Sequence, residues 1–175
     1  MRKLQEKDAP FMFEWMHDDN VVHDLNRNFS QMSIEDCKSF IRESKTQDKN
    51  LHFAISNDND EYMGTVSLKN INTKIGCAEF GIAMRKQAMG KGYACYAMKE
   101  IIRVGFDKLE LRKIFWCVSP NNKRAIKFYD KNGYQRIQDL SSEKKEMDYI
   151  LTKYRTSSII GFVWYLCKAT QLSIT

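Results

Sequence analysis

Proline is nearly absent from this chain, at 2 of 175 residues, and glycine is scarce at 8. That scarcity excludes collagen-like and linker-like chains, which those two residues dominate. No apolar run reaches the roughly 20 residues that a membrane-crossing helix needs; the run Ile159–Cys167 stops well short. The five cysteines (Cys37, Cys77, Cys95, Cys117, Cys167) are odd in number and include no CxxC pair. Neither a zinc ribbon nor a dithiol redox motif is offered, and the thiols read as reduced ones in a cytoplasmic protein. His17, His23 and His52 lack metal-ligand spacing, so no metal is expected. Met1–Asp8 has no apolar core and is not expected to act as a secretory leader.

What is present is globular in kind: 43% hydrophobic and 29% charged residues, enough for one domain with its own core. Lys and Arg exceed Asp and Glu by 28 to 22, a net charge of +6. That excess suits an anionic partner without choosing between nucleic acid, a membrane surface and a phosphorylated cofactor. No repeat or linker splits the chain. Residues 1–154 are expected to form the domain and 155–175 an apolar C-terminal tail. Three uses of that tail stay open: a strand or helix packed on the domain or on a second subunit, an interfacial membrane contact, or an appended sequence with no role.

Along the chain, Arg2–Leu4 can form a short strand. Asp8 can cap a helix whose first turn tolerates Pro10. Ser33 with Asp36 three positions on signals a second helix start, running to about Ser44. Leu51–Ser56 and Tyr62–Leu68 flank the turn cluster Asn57–Asp60 and predict a hairpin. Further strands are expected at about Gly76–Met84, Ile114–Val118, Tyr134–Ile137 and Asp148–Thr152. Ala94, Ala97, Met98, Ile101, Ile102, Gly105 and Phe106 keep one helix face from Tyr93 to about Lys108, with Cys95 expected on its inner side. Asn122–Lys131 is a helix stopped by Asn132-Gly133. The order predicts an α/β (α+β) protein with a mixed sheet and helices packed on it.

The segment Arg85–Gly92 joins a strand to a helix through two glycines. A helix start leaves its first N–H groups unpaired and carries partial positive charge; glycine lets a phosphate approach them. An ordinary strand-to-helix loop with solvated lysines reads the same residues equally simply. The P-loop spacing is not met, and the third glycine of the dinucleotide fingerprint is replaced by Cys95. The pattern that fits is Gln-x-x-Gly-x-Gly-x-Ala, at Gln87, Gly90, Gly92 and Ala94. Downstream, Asn122, Ala125, Tyr129 and Gly133 hold the spacings of Asn-x-x-Ala-Ile-x-x-Tyr-x-x-x-Gly-Phe, with Tyr134 for the final Phe. Both blocks resemble the GNAT N-acetyltransferases. The earlier residues Leu4, Asp8-Ala9 and Trp15 are similar to the branch of ribosomal-protein, polyamine and nucleotide-amino-sugar acetyltransferases.

The resemblance implies a mostly antiparallel sheet of six to seven strands flanked by about four helices, and direct acetyl transfer from acetyl-CoA to a primary amine. It implies a coenzyme site at Ile82, Met84, Gln87, Ala88, Met89, Gly90, Lys91, Gly92, Tyr93, Ala94, Asn122 and Lys127. Arg85, Lys86, Lys91, Lys123, Arg124 and Lys127 would offer positive charge to its phosphates. Tyr129 is the candidate acid for the departing sulfur; an unperturbed phenol, with a pKa of about 10, is protonated at neutral pH. Glu79 is the candidate base for the amine, a structural carboxylate being the alternative. Asn122 can bond the pantetheine arm or cap its helix. Cys117 could suggest an acyl-enzyme, but no histidine neighbours it. The N-terminal helices, with Trp15, Asp18, Asp19, Asp24 and Phe29, are the expected acceptor wall. The acceptor stays open among a peptide N-terminus, a polyamine, an amino sugar and an aminoglycoside. No nucleic-acid partner is expected, and a homodimer is compatible with a buried tail. The alternative function is a non-catalytic acyl-CoA-binding or regulatory module.

Overall fold

The computed structural model describes residues 1–25, 28–137, 143–151 and 162–168. Seven strands form one sheet in the order β1-β2-β3-β4-β5-β7-β6. They are β1 (Arg2–Lys3), β2 (Leu51–Ser56), β3 (Tyr62–Asn72), β4 (Cys77–Met84), β5 (Lys113–Val118), β6 (Gln135–Arg136) and β7 (Val163–Lys168). Every neighbouring pair is antiparallel except β4–β5. A parallel pair needs a crossover, and α4 (Tyr93–Arg103) with the π-helical turn Val104–Lys108 supplies it.

Side-chain alternation on β4 sets the two layers. Ala78, Phe80, Ile82 and Met84 join the core under α4 and α5 (Lys123–Lys131), where Ala97, Met98, Ile101, Ile102 and Tyr129 are buried. Ala83 packs on the opposite side with the N-terminal helices α1 (Ala9–Met16), α2 (Asp19–Val22) and α3 (Ile34–Glu43). Cys77 shares that side with Phe115 and Trp164, beside α6 (Lys144–Leu151).

Local chemistry explains most element starts. At α3 the Asp36 amide donates to Ser33 Oγ at 3.1 Å and the Ser33 amide to Asp36 Oδ2 at 2.8 Å, the reciprocal box that satisfies two orphan donors. Asp8 caps a different turn from the expected one, its carboxylate closing the capping box of the 3-10 turn Glu6–Asp8. It precedes α1 but gives that helix no side-chain cap; its carboxylate takes both Arg2 nitrogens, at 2.7 and 2.8 Å, and the Gln5 amide at 2.9 Å. Pro10 sits in the first turn of α1, as its missing N–H allows.

Two further expectations change. Residues 148–151 are helical, within α6, and not the strand that the sequence predicts; Thr152 lies outside the described residues. The β5 edge is taken instead by β7, with Phe115 opposite Leu166 and Trp116 opposite Tyr165. A helix also places Glu146 to meet Lys113 Nζ at 2.9 Å, beside Glu143 just ahead of α6, which pairs with the same lysine. The part of the apolar run from Val163 to Cys167 thus enters the sheet as β7, between β5 and β6. Second, Cys95 is half-buried rather than on the inner face of α4, and its thiol lies 3.3 Å from Asn132 Oδ1 near the end of α5. Among the described residues no helix is long and apolar enough to cross a membrane.

Candidate active site

The turn after β4 ends in two left-handed residues. Gly90 has φ 77° and Gly92 φ 85°, a region that side chains disfavour. A Cβ at either position would meet nothing within 4 Å, so these glycines supply backbone conformation and leave open space. Gly92 is the N-cap of α4 and gives it no side-chain cap. The first N–H groups of an eleven-residue helix therefore face that space without a capping side chain, the arrangement that attracts an anion. Lys86 and Lys91 are exposed beside it, Ala88 is buried, and Tyr93 and Ala94 pack against the main core. The Gln87 side chain turns to Glu61, donating to Oε1 at 3.1 Å. Met89 Sδ lies 2.7 Å from Arg124 Nη1, which ties the turn to α5.

Arg85 is not part of an open positive surface, contrary to the expectation from charge. It is only 4% exposed. Its guanidinium donates to both Glu14 oxygens at 3.0 and 2.7 Å, to Glu61 Oε1 at 2.8 Å and to the Tyr62 carbonyl at 3.0 Å. It also lies over the Phe11 ring at 4.4 Å. Two carboxylates neutralise it, and the residue clamps α1 and β3 to the first residue of the turn. Sequence alone could not show this: Glu14 is 71 positions away. The signal was its place beside the buried end of β4.

The parallel β4–β5 pair is short: Cys77 faces Lys113, Ala78 faces Ile114 and Glu79 faces Phe115. Phe80–Met84, including Ile82 and Met84, continue without a β5 partner. The strands part there, and among the described residues no strand pairs that edge of β4, which can take an extended ligand. Glu79 stands at the parting, on the N-terminal-helix face and 5% exposed. Opposite it on β3, Lys69 donates to Oε1 at 2.6 Å, and Asn70 donates to Oε2 at 3.0 Å. Both oxygens of the candidate base are engaged.

Tyr129 lies across the parting on α5, 6% exposed among Trp116, Tyr165, Phe128 and Tyr134 at 5.1–6.3 Å between ring centroids. Burial pushes its phenol pKa above the ordinary value, so the hydroxyl keeps its proton at neutral pH. Asn122 takes the capping alternative: Oδ1 accepts from the Ala125 amide at 2.9 Å. Lys123, Arg124 and Lys127 are exposed on α5. Burial pushes the Cys117 thiol up to about 12, which opposes a thiolate nucleophile.

The expected acceptor wall is split. Trp15 and Phe29 are core, in edge contact at 5.2 Å, and Trp15 Nε1 donates to the Tyr62 hydroxyl at 3.2 Å. Asp18 caps α2 by accepting from the Asn20 amide at 2.9 Å, and Asp24 meets His23 Nε2 at 3.1 Å. Asp19 remains available and lines a cleft of about 520 Å³ with His17, His23 and Phe29. A second cleft, about 550 Å³, lies between the β2–β3 turn and the start of α4, touching Lys91, Gly92, Tyr93 and Tyr96. Neither is lined by the residues of the strand parting. Among the described residues, no group of three or more His, Cys, Asp or Glu is placed to hold a metal ion.

Residues 1–135 match the family model described as an acetyltransferase (GNAT) domain. Spermidine N(1)-acetyltransferase of Escherichia coli K12 is 33% identical over 131 residues, 70% of each chain. An N-acetyltransferase of Bacillus licheniformis, p20, is 27% identical over 160 residues, 90% of each. Among solved structures, spermidine N-acetyltransferase from Vibrio cholerae, in complex with CoA and spermine, superposes with a TM-score of 0.70 at 22% identity, covering 78% of this chain and 80% of that one. The last shows the shared fold. The family model spans most of the chain, so the chain belongs to the GNAT acetyltransferase family and is an N-acetyltransferase, an enzyme that moves an acetyl group onto an amine.

Proposed function

We propose that this enzyme takes its acetyl group from acetyl-CoA and delivers it directly to a small cationic primary amine, a polyamine first among the candidates. The observation that carries the proposal is the uncapped start of α4 behind Gly90 and Gly92, placed at the open edge of β4. The fit is chemical: a diphosphate needs N–H donors and close approach, and an amide-bearing arm needs an unpaired strand edge. Gln87–Ala94 would hold the diphosphate through main-chain N–H groups, Ile82 and Met84 the pantetheine arm, and Lys91 and Lys127 would add charge. Asn122 retains its side-chain N–H donors for the arm while its oxygen caps α5. Acetyl-CoA, when bound, supplies the activated thioester.

Tyr129 holds the proton that the departing sulfur needs. Its burial favours the neutral phenol. Glu79 stands on the acceptor face, and we assign it the amine. Because Lys69 and Asn70 already hold both oxygens, it acts by fixing charge where the amine arrives and by receiving the amine proton through a water. Support for a polyamine comes from the spermidine acetyltransferase relative and from Asp19, whose carboxylate lines the cleft among the N-terminal helices. We place the enzyme in the cytoplasm, count β7 as part of the acetyltransferase domain because it pairs with β5, and take self-association as its assembly.

The test is thiol release from acetyl-CoA against a panel of spermidine, spermine, amino sugars and peptides. Turnover with polyamines at rates well above the other amines is expected. Tight coenzyme binding with no release from any amine would favour a non-catalytic acyl-CoA-binding module instead. Light scattering across protein concentrations checks the assembly.

A further inference from the structure

Trp116 is the first residue of β5 beyond the last β4–β5 pair, Glu79 with Phe115. It stands where the strands separate. Its side chain shares the face of Ile114 and Val118, toward α4 and α5, and is 2% exposed. The indole is boxed by rings: Phe80 at 5.5 Å, Tyr129 at 5.4 Å, Tyr134 at 5.2 Å, and Tyr165 stacked at 5.6 Å with 7° between planes. The Tyr165 hydroxyl is spent, donating to Asp130 Oδ1 at 2.9 Å. Among the described residues, Trp116 Nε1 is the one buried side-chain polar atom without a hydrogen-bond partner. The contrast is Trp15, equally enclosed, whose Nε1 has Tyr62.

Packing explains the size of this side chain but not its N–H. Phenylalanine would keep a ring in the box, at the cost of some volume, and leave no donor stranded, and a buried donor left unpaired destabilises the fold. Buried orphans are rare enough in native proteins to require a reason, a missing partner among them. The position supplies one. Tyr129, the proton donor proposed for the sulfur, is an immediate ring neighbour, so an acyl group presented to Tyr129 lies on the indole's side of the parting.

We infer that the Trp116 indole N–H donates a hydrogen bond to the carbonyl oxygen of the acetyl thioester. This rests on the coenzyme seat proposed above. The bond strengthens as the amine nitrogen attacks the carbonyl carbon and the oxygen gains negative charge. It relaxes when the C=O re-forms, the C–S bond breaks and the sulfur takes its proton. A preorganised donor aimed at a developing oxyanion in a dry site is worth about 10²–10³ in rate.

The chain has three tryptophans, Trp15, Trp116 and Trp164, so the indole region of a ¹H–¹⁵N spectrum is simple. Trp116→Phe removes and so assigns one resonance. If that variant does not fold, Trp15→Phe and Trp164→Phe assign it by elimination. On saturating the wild type with acetyl-CoA, the Trp116 indole proton is expected to move downfield and exchange more slowly. Free CoA, which lacks the carbonyl, is expected to produce neither change. Trp116→Phe is expected to bind CoA as the wild type does while its kcat falls about 10²-fold. An unmoved resonance in protein shown by calorimetry to bind acetyl-CoA overturns the inference and leaves the coenzyme seat standing. Equal shifts with CoA and acetyl-CoA overturn the assignment to the acetyl carbonyl. Wild type that binds neither overturns the seat, and the inference with it.

Discussion

Gly92 separates backbone strain from charge, and two substitutions there read the phosphate seat directly. Its φ of 85° penalises any side chain by about 1–2 kcal/mol. A Cβ meets no atom within 4 Å, so strain is the whole loss in the ligand-free protein. For a chain of this size that lowers Tm by about 2–8 °C. Gly92→Glu recovers part of it, since a carboxylate at a helix start is favourable by about 0.3–1 kcal/mol. Gly92→Glu is therefore expected to be at least as stable as Gly92→Ala. The order reverses for the coenzyme. A carboxylate about 5 Å from a phosphate charge, at an effective dielectric of about 20, opposes binding by about 3 kcal/mol, on the order of 100-fold in Kd. Scanning calorimetry and titration calorimetry with CoA on both variants measure the two effects. The gap in Kd should narrow as salt is raised. Equal Kd values for Gly92→Ala and Gly92→Glu at low salt would refute an anion seat at this turn.

Other consequences follow from particular contacts. Arg85→Met strips hydrogen bonds from Glu14, Glu61 and the Tyr62 carbonyl. It should lower unfolding free energy by about 1–3 kcal/mol in denaturant titration and weaken CoA binding as well. An unchanged Kd would show that the clamp does not set the turn. Glu79→Gln is expected to raise KM for the amine and to lower kcat, while leaving CoA affinity unchanged; a matching loss of CoA affinity would place Glu79 elsewhere in the site. Burial holds the His52 pKa down at about 4, with Lys69 adding repulsion. The unfolded state therefore binds more protons than the folded one between about pH 4 and 6.5, and stability falls as pH drops through that window. Thermal unfolding across it should be steeper in wild type than in His52→Gln.

The elements legible in the sequence are those whose signals are local. The Ser33–Asp36 box, the Asn57–Asp60 turn and the apolar face of α4 each depend on residues within one or two turns of one another. So does the glycine pair. What sequence did not show depends on partners far along the chain. Asp8 has the right type and place to cap α1, but Arg2 claims its carboxylate. Arg85 counts as positive charge until Glu14 and Glu61 close on it. Tyr149–Leu151 are apolar enough for a strand, yet β7 holds the edge of β5 and α6 carries Glu146 to Lys113. Trp116 looked like any buried strand residue; only the rings around it show a donor without an acceptor.

The most direct measurement is the turnover of Tyr129→Phe, with the best acceptor from the amine panel, at saturating acetyl-CoA. The substitution keeps the ring among Trp116, Tyr134 and Tyr165 and removes the hydroxyl alone. If that hydroxyl protonates the sulfur, kcat falls about 10²–10⁴-fold while the Kd for CoA stays within about threefold, less than 1 kcal/mol. Full turnover by Tyr129→Phe would contradict it.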